Sequence, residues 1–210
     1  MKNMVMAGMA ALCLILGIMA AMGATWQAHE DADEMEDGMD MGMSLSSWWV
    51  SYDLSESDSD FTCEEILDMG VEEEEPGESE CDGDVMTTTM AFSDICDDTD
   101  EDEACDMATA GMIGTIGMWA GIVCALLVTL TLVLPMAGVD AMDAMPDMGK
   151  MITSWGAGAL MLVGTLAYLM MTPEDISEDM AMGMSAMMAL GAALLGLAAA
   201  AMDQFMDADE

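Results

Sequence analysis

"MATAGMIGTIGMWAGIVCALLVTLTLVLPMAGV", Met107 to Val139, carries no charged side chain. About 20 apolar residues in a helix cross the roughly 30 Å hydrocarbon core of a bilayer. This run is longer, so part of it is expected to project or tilt, with Pro135 marking its inner end. Three further windows read the same way: Met4 to Thr25, Met151 to Met171 and Met180 to Met202.

The charges lie between these windows. The chain has 210 residues, 54% of them hydrophobic, with 41 acidic side chains against two basic ones and a formal charge of -39. Thirty of the acids fall between Glu30 and Asp106, a stretch without Lys or Arg. Uncharged apolar windows joined by acidic connectors describe a multipass membrane protein. Phosphate recognition needs Lys and Arg, so nucleic acid is excluded as a partner.

The expected fold is an all-α membrane protein. A four-helix transmembrane bundle carries a small, acidic, disulfide-stapled outer domain between helices 1 and 2, with room for short β-strands. Residues 1–25 form the first span, 26–106 the outer domain, 107–139, 151–171 and 180–202 the later spans, and 203–210 an acidic cytoplasmic tail. The first segment has a second reading as a signal peptide, with Lys2 as its n-region and Ala21-Met22-Gly23 as a small-x-small site. Lys2 and Lys150 fall on one side of a four-span chain, which the positive-inside rule makes cytoplasmic. The 30–106 segment then faces outward, at the plasma membrane or cell envelope.

Small residues punctuate the spans: Gly111, Gly114, Gly117 and Gly121 in the second, Gly156, Gly158 and Gly164 in the third, Gly183, Gly191 and Gly196 in the fourth. They are expected to let helix backbones approach closely in lipid, where packing holds helices together. No span carries a mid-membrane charge of the kind that pumps and proton relays use. "TPEDISED", Thr172 to Asp179, reads as a helix start: Thr172 caps, Pro173 takes the first position, and acids follow.

In the outer segment, 27–47 reads as a flexible tether. Residues 48–69 hold enough apolar side chains for a small folded patch, with Trp48 and Trp49 marking its start. "VEEEEPGESE" reads as a solvated turn, and "VMTTTMAFSDI" has strand propensity. Cys13 and Cys124 lie in spans as small apolar residues. Cys63, Cys81, Cys96 and Cys105 lie outside and are expected to form two disulfides, with three connectivities open. A zinc site from the same four is the alternative, though no C-x-x-C pair is present.

The acid load suits solvation in high salt, weak Ca²⁺ binding or attraction of a basic partner. Glu78, Glu80, Asp82 and Gly83 mimic the opening of an EF-hand loop, but Thr89 stands where its Glu is needed. Thioethers suit Cu(I). Met39, Met41 and Met43 alternate in the outer segment, Met180, Met182 and Met184 repeat the pattern, and Met180, Met184 and Met188 would share a helix face. With 31 methionines in the chain, roughly one such triplet is expected by chance. Composition is the simpler account. One His and no paired nucleophile and base argue against an enzyme. No cofactor is expected beyond weak Ca²⁺ or Cu⁺ binding.

Two resemblances follow. Four spans, the large outer loop first, and the segments "AAMGATW", "GAGALMLVGTLAYLM" and "MGMSAMMALGAALLGLAAA" resemble the claudin and peripheral-myelin-protein superfamily. Trp48-Trp49 would stand for that family's outer-loop tryptophan. The resemblance implies a structural, adhesion or lateral-assembly role, with the bilayer, other membrane proteins or further copies of the chain as partners. The alternative is outer-face copper binding or transport. A Met-rich outer N-terminus followed by three spans, once the first segment is removed, resembles eukaryotic high-affinity copper transporters. It would use Met39, Met41, Met43, Met180, Met184 and Met188.

Overall fold

A computed structural model describes residues 2–29, 38–55, 62–68, 77–99, 102–135, 138, 146–173 and 180–206. The order is α1 (Lys2–Met22), β1 (Gln27–His29), β2 (Met39–Met43), β3 (Ser47–Asp53), α2 (Cys63–Asp68), β4 (Glu78–Asp82), β5 (Val85–Ala91), α3 (Phe92–Thr99), α4 (Asp102–Val133), α5 (Asp147–Met171), β6 (Met180–Met182) and α6 (Met184–Met206). The chain divides into two compact units. One comprises Met1–Gly23, Ile113–Met170 and Met184–Glu210; the other comprises Ala24–Met112 and Met171–Gly183.

The first unit is helical. Stretches of α1, α4, α5 and α6 are each long and apolar enough to cross a membrane: Met4–Met22, Asp102–Val133, Met148–Met171 and Met184–Phe205. Their packing inverts the pattern of a water-soluble bundle. Small side chains are buried, among them Ala10, Cys13, Ala20, Ala125, Ala157, Ala189, Ala192, Ala193 and Ala200. Met118, Met161 and Tyr168 are buried with them, but many large side chains face out: Ile116, Trp119, Val123 and Leu126 form an exposed stripe on α4, and Val163 on α5 and Leu194 on α6 are more than 60% exposed. Lipid tails solvate such an exterior, and small interior residues let the backbones close up. The chain is a multipass membrane protein.

Glycines set the crossings. A Cβ on Gly117 would stand 2.7 Å from the Cα of Gly164, so α4 and α5 meet backbone to backbone there, with the Gly114 carbonyl also against Gly164. A Cβ on Gly158 would stand 2.5 Å from the Leu197 nitrogen and 2.6 Å from the Ala193 oxygen, where α5 crosses α6. Gly196 faces Gly158 from the other side, and Gly121 packs on Met161. Helix α1 packs along α6. Gly191 is a correction: nothing lies within 4 Å of the place its Cβ would take, so it makes no crossing. Thr129, Thr131, Thr153 and Thr165 each donate to a carbonyl of their own helix, the last to Met161 at 2.8 Å.

The second unit is a six-stranded sheet in the order β4-β5-β3-β2-β1-β6. Every adjacent pair is antiparallel. The sequence allowed for short strands between the first two spans; the sheet is larger and draws its last strand from the link between α5 and α6. Residues 27–47 were expected as a tether, yet β1 and β2 lie there. The M-x-M-x-M alternation is itself a two-residue period, and β2 pairs along its whole length with β3, from Met39↔Tyr52 to Met43↔Trp48. A hydrogen-bonding template outweighs the low strand propensity of Gly and Asp.

Met180–Met182 also departs from the expected helix. It pairs with β1 from Gln27↔Met182 to His29↔Met180. The last helix therefore starts at Met184, and Met180 shares no helix face with Met184 and Met188. Glu174 to Asp179 lie outside the described residues, so the helix start expected from Thr172 and Pro173 falls mostly there.

Candidate functional site

Antiparallel partners put their side chains on the same face of a sheet. The register therefore sorts this one cleanly. Met39, Met41 and Met43 share a face with Trp48, Val50 and Tyr52 on β3, Met86 and Met90 on β5, and Gln27, His29, Met180 and Met182 at the other side. The opposite face carries Asp40, Trp49, Thr87 and Thr89, with Glu78, Glu80 and Asp82 on β4. The methionine face holds the buried positions Gln27, Met43 and Val50, whereas Asp40, Glu78, Glu80 and Asp82 are exposed.

Gly42 explains how Trp49 fits the other face. A Cβ there would stand 2.7 Å from the Trp49 ring, so the indole lies across the glycine while its Nε1 donates to the Ala24 carbonyl at 3.0 Å. The β2–β3 turn is tied by Ser44, whose hydroxyl accepts from the Ser46 and Ser47 amides. Its tip, Leu45, is buried, and its carbonyl fills the place a Gly111 Cβ would take. Gly111 thus admits a hairpin, correcting its assignment to helix–helix packing.

Two disulfides staple the unit, Cys63–Cys81 and Cys96–Cys105. They choose one of the three connectivities and leave no thiolates for zinc. Cys13 and Cys124 are free. Helix α2 starts with a reciprocal cap: Thr62 N–H donates to the Glu65 carboxylate at 3.0 Å, and Glu65 N–H donates to the Thr62 hydroxyl at 3.4 Å. The Thr62 amide and hydroxyl, both donating to that carboxylate, hold the Glu65 carboxyl below its ordinary pKa, and the Ser55 hydroxyl and amide do the same for Asp53.

The calcium expectation meets a different geometry. Glu78, Glu80 and Asp82 lie on an extended strand and Gly83 (φ 66°) makes the β4–β5 turn, so the EF-hand likeness is one of spelling. Among the described residues no group of three or more His, Cys, Asp or Glu is arranged to hold a metal. Of the six candidate methionine ligands, Met39, Met41, Met43 and Met180 come together on one sheet face. Met184 and Met188 belong to α6 in the bundle, where Met184 is 67% exposed.

Two polar groups on the methionine face went unread in the sequence. Gln27 is 5% exposed; its Nε2 donates to the Thr172 hydroxyl at 3.4 Å, and its Oε1 has no partner. The Trp48 Nε1 is also buried without one. Their register with Met43, one on each side of it, depends on two long-range pairings that no local pattern announces. In the bundle, a cavity of about 260 Å³ is lined by Met6, Val128, Thr153, Lys150 and Asp203 among others.

No protein-family model matches this chain, and no curated protein is similar to it at a significant level.

Proposed function

We propose that the protein is a non-catalytic tetraspan with a structural, adhesion or lateral-assembly role, resembling claudin-like proteins in plan. One observation carries this reading. The bundle helices cross at glycine and alanine contacts, and among the described residues no charged side chain is buried. A transporter or pump needs polar groups along its path. What remains for function is the lipid-facing exterior and the stapled sheet. The plan itself adds support: the largest segment between spans comes first and carries both disulfides.

In this reading α1 is a retained span, supported by its packing along α6 and by Cys13, fully buried with its sulfur beside Gly196. The β1–β6 pairing supports one side for both links that feed the sheet, because hydrogen-bonded strands must share a compartment. Lys150 then favours the cytoplasm for the α4–α5 link and the exterior for the sheet. The location is a plasma membrane or cell envelope, with the C-terminus cytoplasmic. The copper-transport alternative has its methionines divided between the two units.

The test is reconstitution of the full chain in vesicles, with donor- and acceptor-labelled copies mixed at low density. Energy transfer above the random-dilution level, with ion and copper flux equal to empty vesicles, is the expected result. Flux above that of empty vesicles would overturn the reading.

A further inference from the structure

We infer that the methionine face of the sheet holds a soft monovalent cation, Cu(I) or its redox-inert analogue Ag(I), between β6, β1 and β2. Its proposed ligands are Met180, His29 and Met41, with Met43 beside them. This is a binding site independent of the structural role proposed above.

Strand register brings the ligands together. Met180 is the direct cross-strand partner of His29. The β1–β2 ladder, Gln27↔Met43 and Ala28↔Gly42, ends one residue before His29, and Met41, two residues from Met43 on β2, lies on the same face as His29. A thioether and an imidazole thus face each other directly, with the thioethers of Met41 and Met43 on the same face of the neighbouring strand. Direct partners such as Met180 and His29 have Cβ atoms about 5 Å apart and diagonal neighbours about 7–8 Å, within reach of one ion for side chains as long as Met and His. All three are half-buried, neither locked in the core nor open to bulk water. Thioether and imidazole donors select Cu(I)-type ions over Ca²⁺ or Mg²⁺.

A second observation points the same way. In the neighbouring row Gln27 and Trp48 flank Met43, and the buried Gln27 Oε1 has no hydrogen-bond partner. A lone pair held in that state is satisfied by a cation or by a water bound to one. The 30 acids between Glu30 and Asp106 add a field that concentrates cations and repels anions. The site also explains why the ligands come from two distant parts of the chain, which M-x-M-x-M alone does not.

Ag(I) is the appropriate probe, since it needs no reductant and leaves Cys63–Cys81 and Cys96–Cys105 oxidised. The full chain in detergent, with Cys13 and Cys124 replaced by Ala to remove competing thiols, would be titrated by calorimetry while Trp emission is followed. One Ag(I) per chain is expected, with quenching that disappears in W48F. Met41→Leu, Met180→Leu and His29→Gln should each weaken binding by roughly tenfold or more, while Met184→Leu and Met188→Leu leave it unchanged. Circular dichroism confirms that each variant is folded. Absence of stoichiometric binding, or binding that survives the Met41 and Met180 changes in folded protein, would overturn the inference.

Discussion

Gly158 and Gly191 look alike in the sequence, each a glycine in an apolar helix. Their surroundings make opposite forecasts. A methyl on Gly158 would press on the α6 backbone at Leu197 and Ala193, atoms that cannot rotate away. Gly158→Ala should therefore destabilise the detergent-solubilised protein by about 1–3 kcal/mol through overpacking. Gly191→Ala meets open space and should be neutral or stabilising by up to about 1 kcal/mol, from helix propensity alone. Thermal unfolding of the two variants side by side decides this; equal losses would refute the crossing. A pH dependence belongs at the same scale. The Glu65 pKa is depressed by its bonds to Thr62, so its contribution to α2 is present above the ordinary glutamate pKa. It is lost as the pH falls through the depressed value. The Thr62 amide shift should follow that titration, and Glu65→Gln should flatten it.

The elements divide by how local their causes are. The four spans were legible in Met4 to Thr25, Met107 to Val139, Met151 to Met171 and Met180 to Met202 because hydropathy is summed over one window. Their ends were less so: α4 starts at Asp102 and α6 at Met184. Both ends are decided by partners, a disulfide before Asp106 and a strand before Gly183. Strand propensity read over Val85 to Ile95 found the strand Val85–Ala91 but not the helix that starts at Phe92, and β1, β2 and β6 were not legible, since such short, glycine- and methionine-bearing runs become strands only when a neighbour supplies hydrogen bonds. The four paired cysteines were legible and their connectivity was not. Candidate ligands were visible as alternating methionines, but His29 gained its meaning only from register. The Cys63–Cys81 bridge closes the longer loop, with a separation of 18 residues against nine for Cys96–Cys105. In the chain-entropy account its loss costs about 3 kcal/mol. The pair Cys63→Ser with Cys81→Ser should raise amide exchange in β4 and α2 before β2 and β3, and uniform exchange would contradict that order.

For the whole molecule the dominant number is the charge of -39. The described acids of the sheet unit, Asp40, Glu78, Glu80, Asp82 and Asp84 among them, have no Lys or Arg in the 30–106 segment to offset them and repel one another more in the folded unit than in an extended chain. Raising salt from about 0.01 M to 0.15 M shortens the screening length from about 30 to 8 Å, so the sheet unit should melt at a higher temperature in the saltier buffer. A melting temperature that falls with added NaCl would mean that specific attractive pairs outweigh the repulsion. The same comparison with KCl separates screening from a sodium-specific effect. Mass spectrometry of the mature N-terminus belongs here as well: an intact first segment is expected, and a start near Ala24 would leave three spans.

The strand β6 carries a consequence for biosynthesis. Its partner β1 leaves the ribosome about 150 residues earlier, so at typical elongation rates one edge of the sheet waits on the order of 10–30 s for its last neighbour. During that interval β1 offers unpaired amides and carbonyls to any passing strand. Two membrane helices must be threaded before the gap can close. The 30 acids of the segment between Glu30 and Asp106 oppose such pairing between unfinished copies by like-charge repulsion until the C-terminal part of the chain arrives.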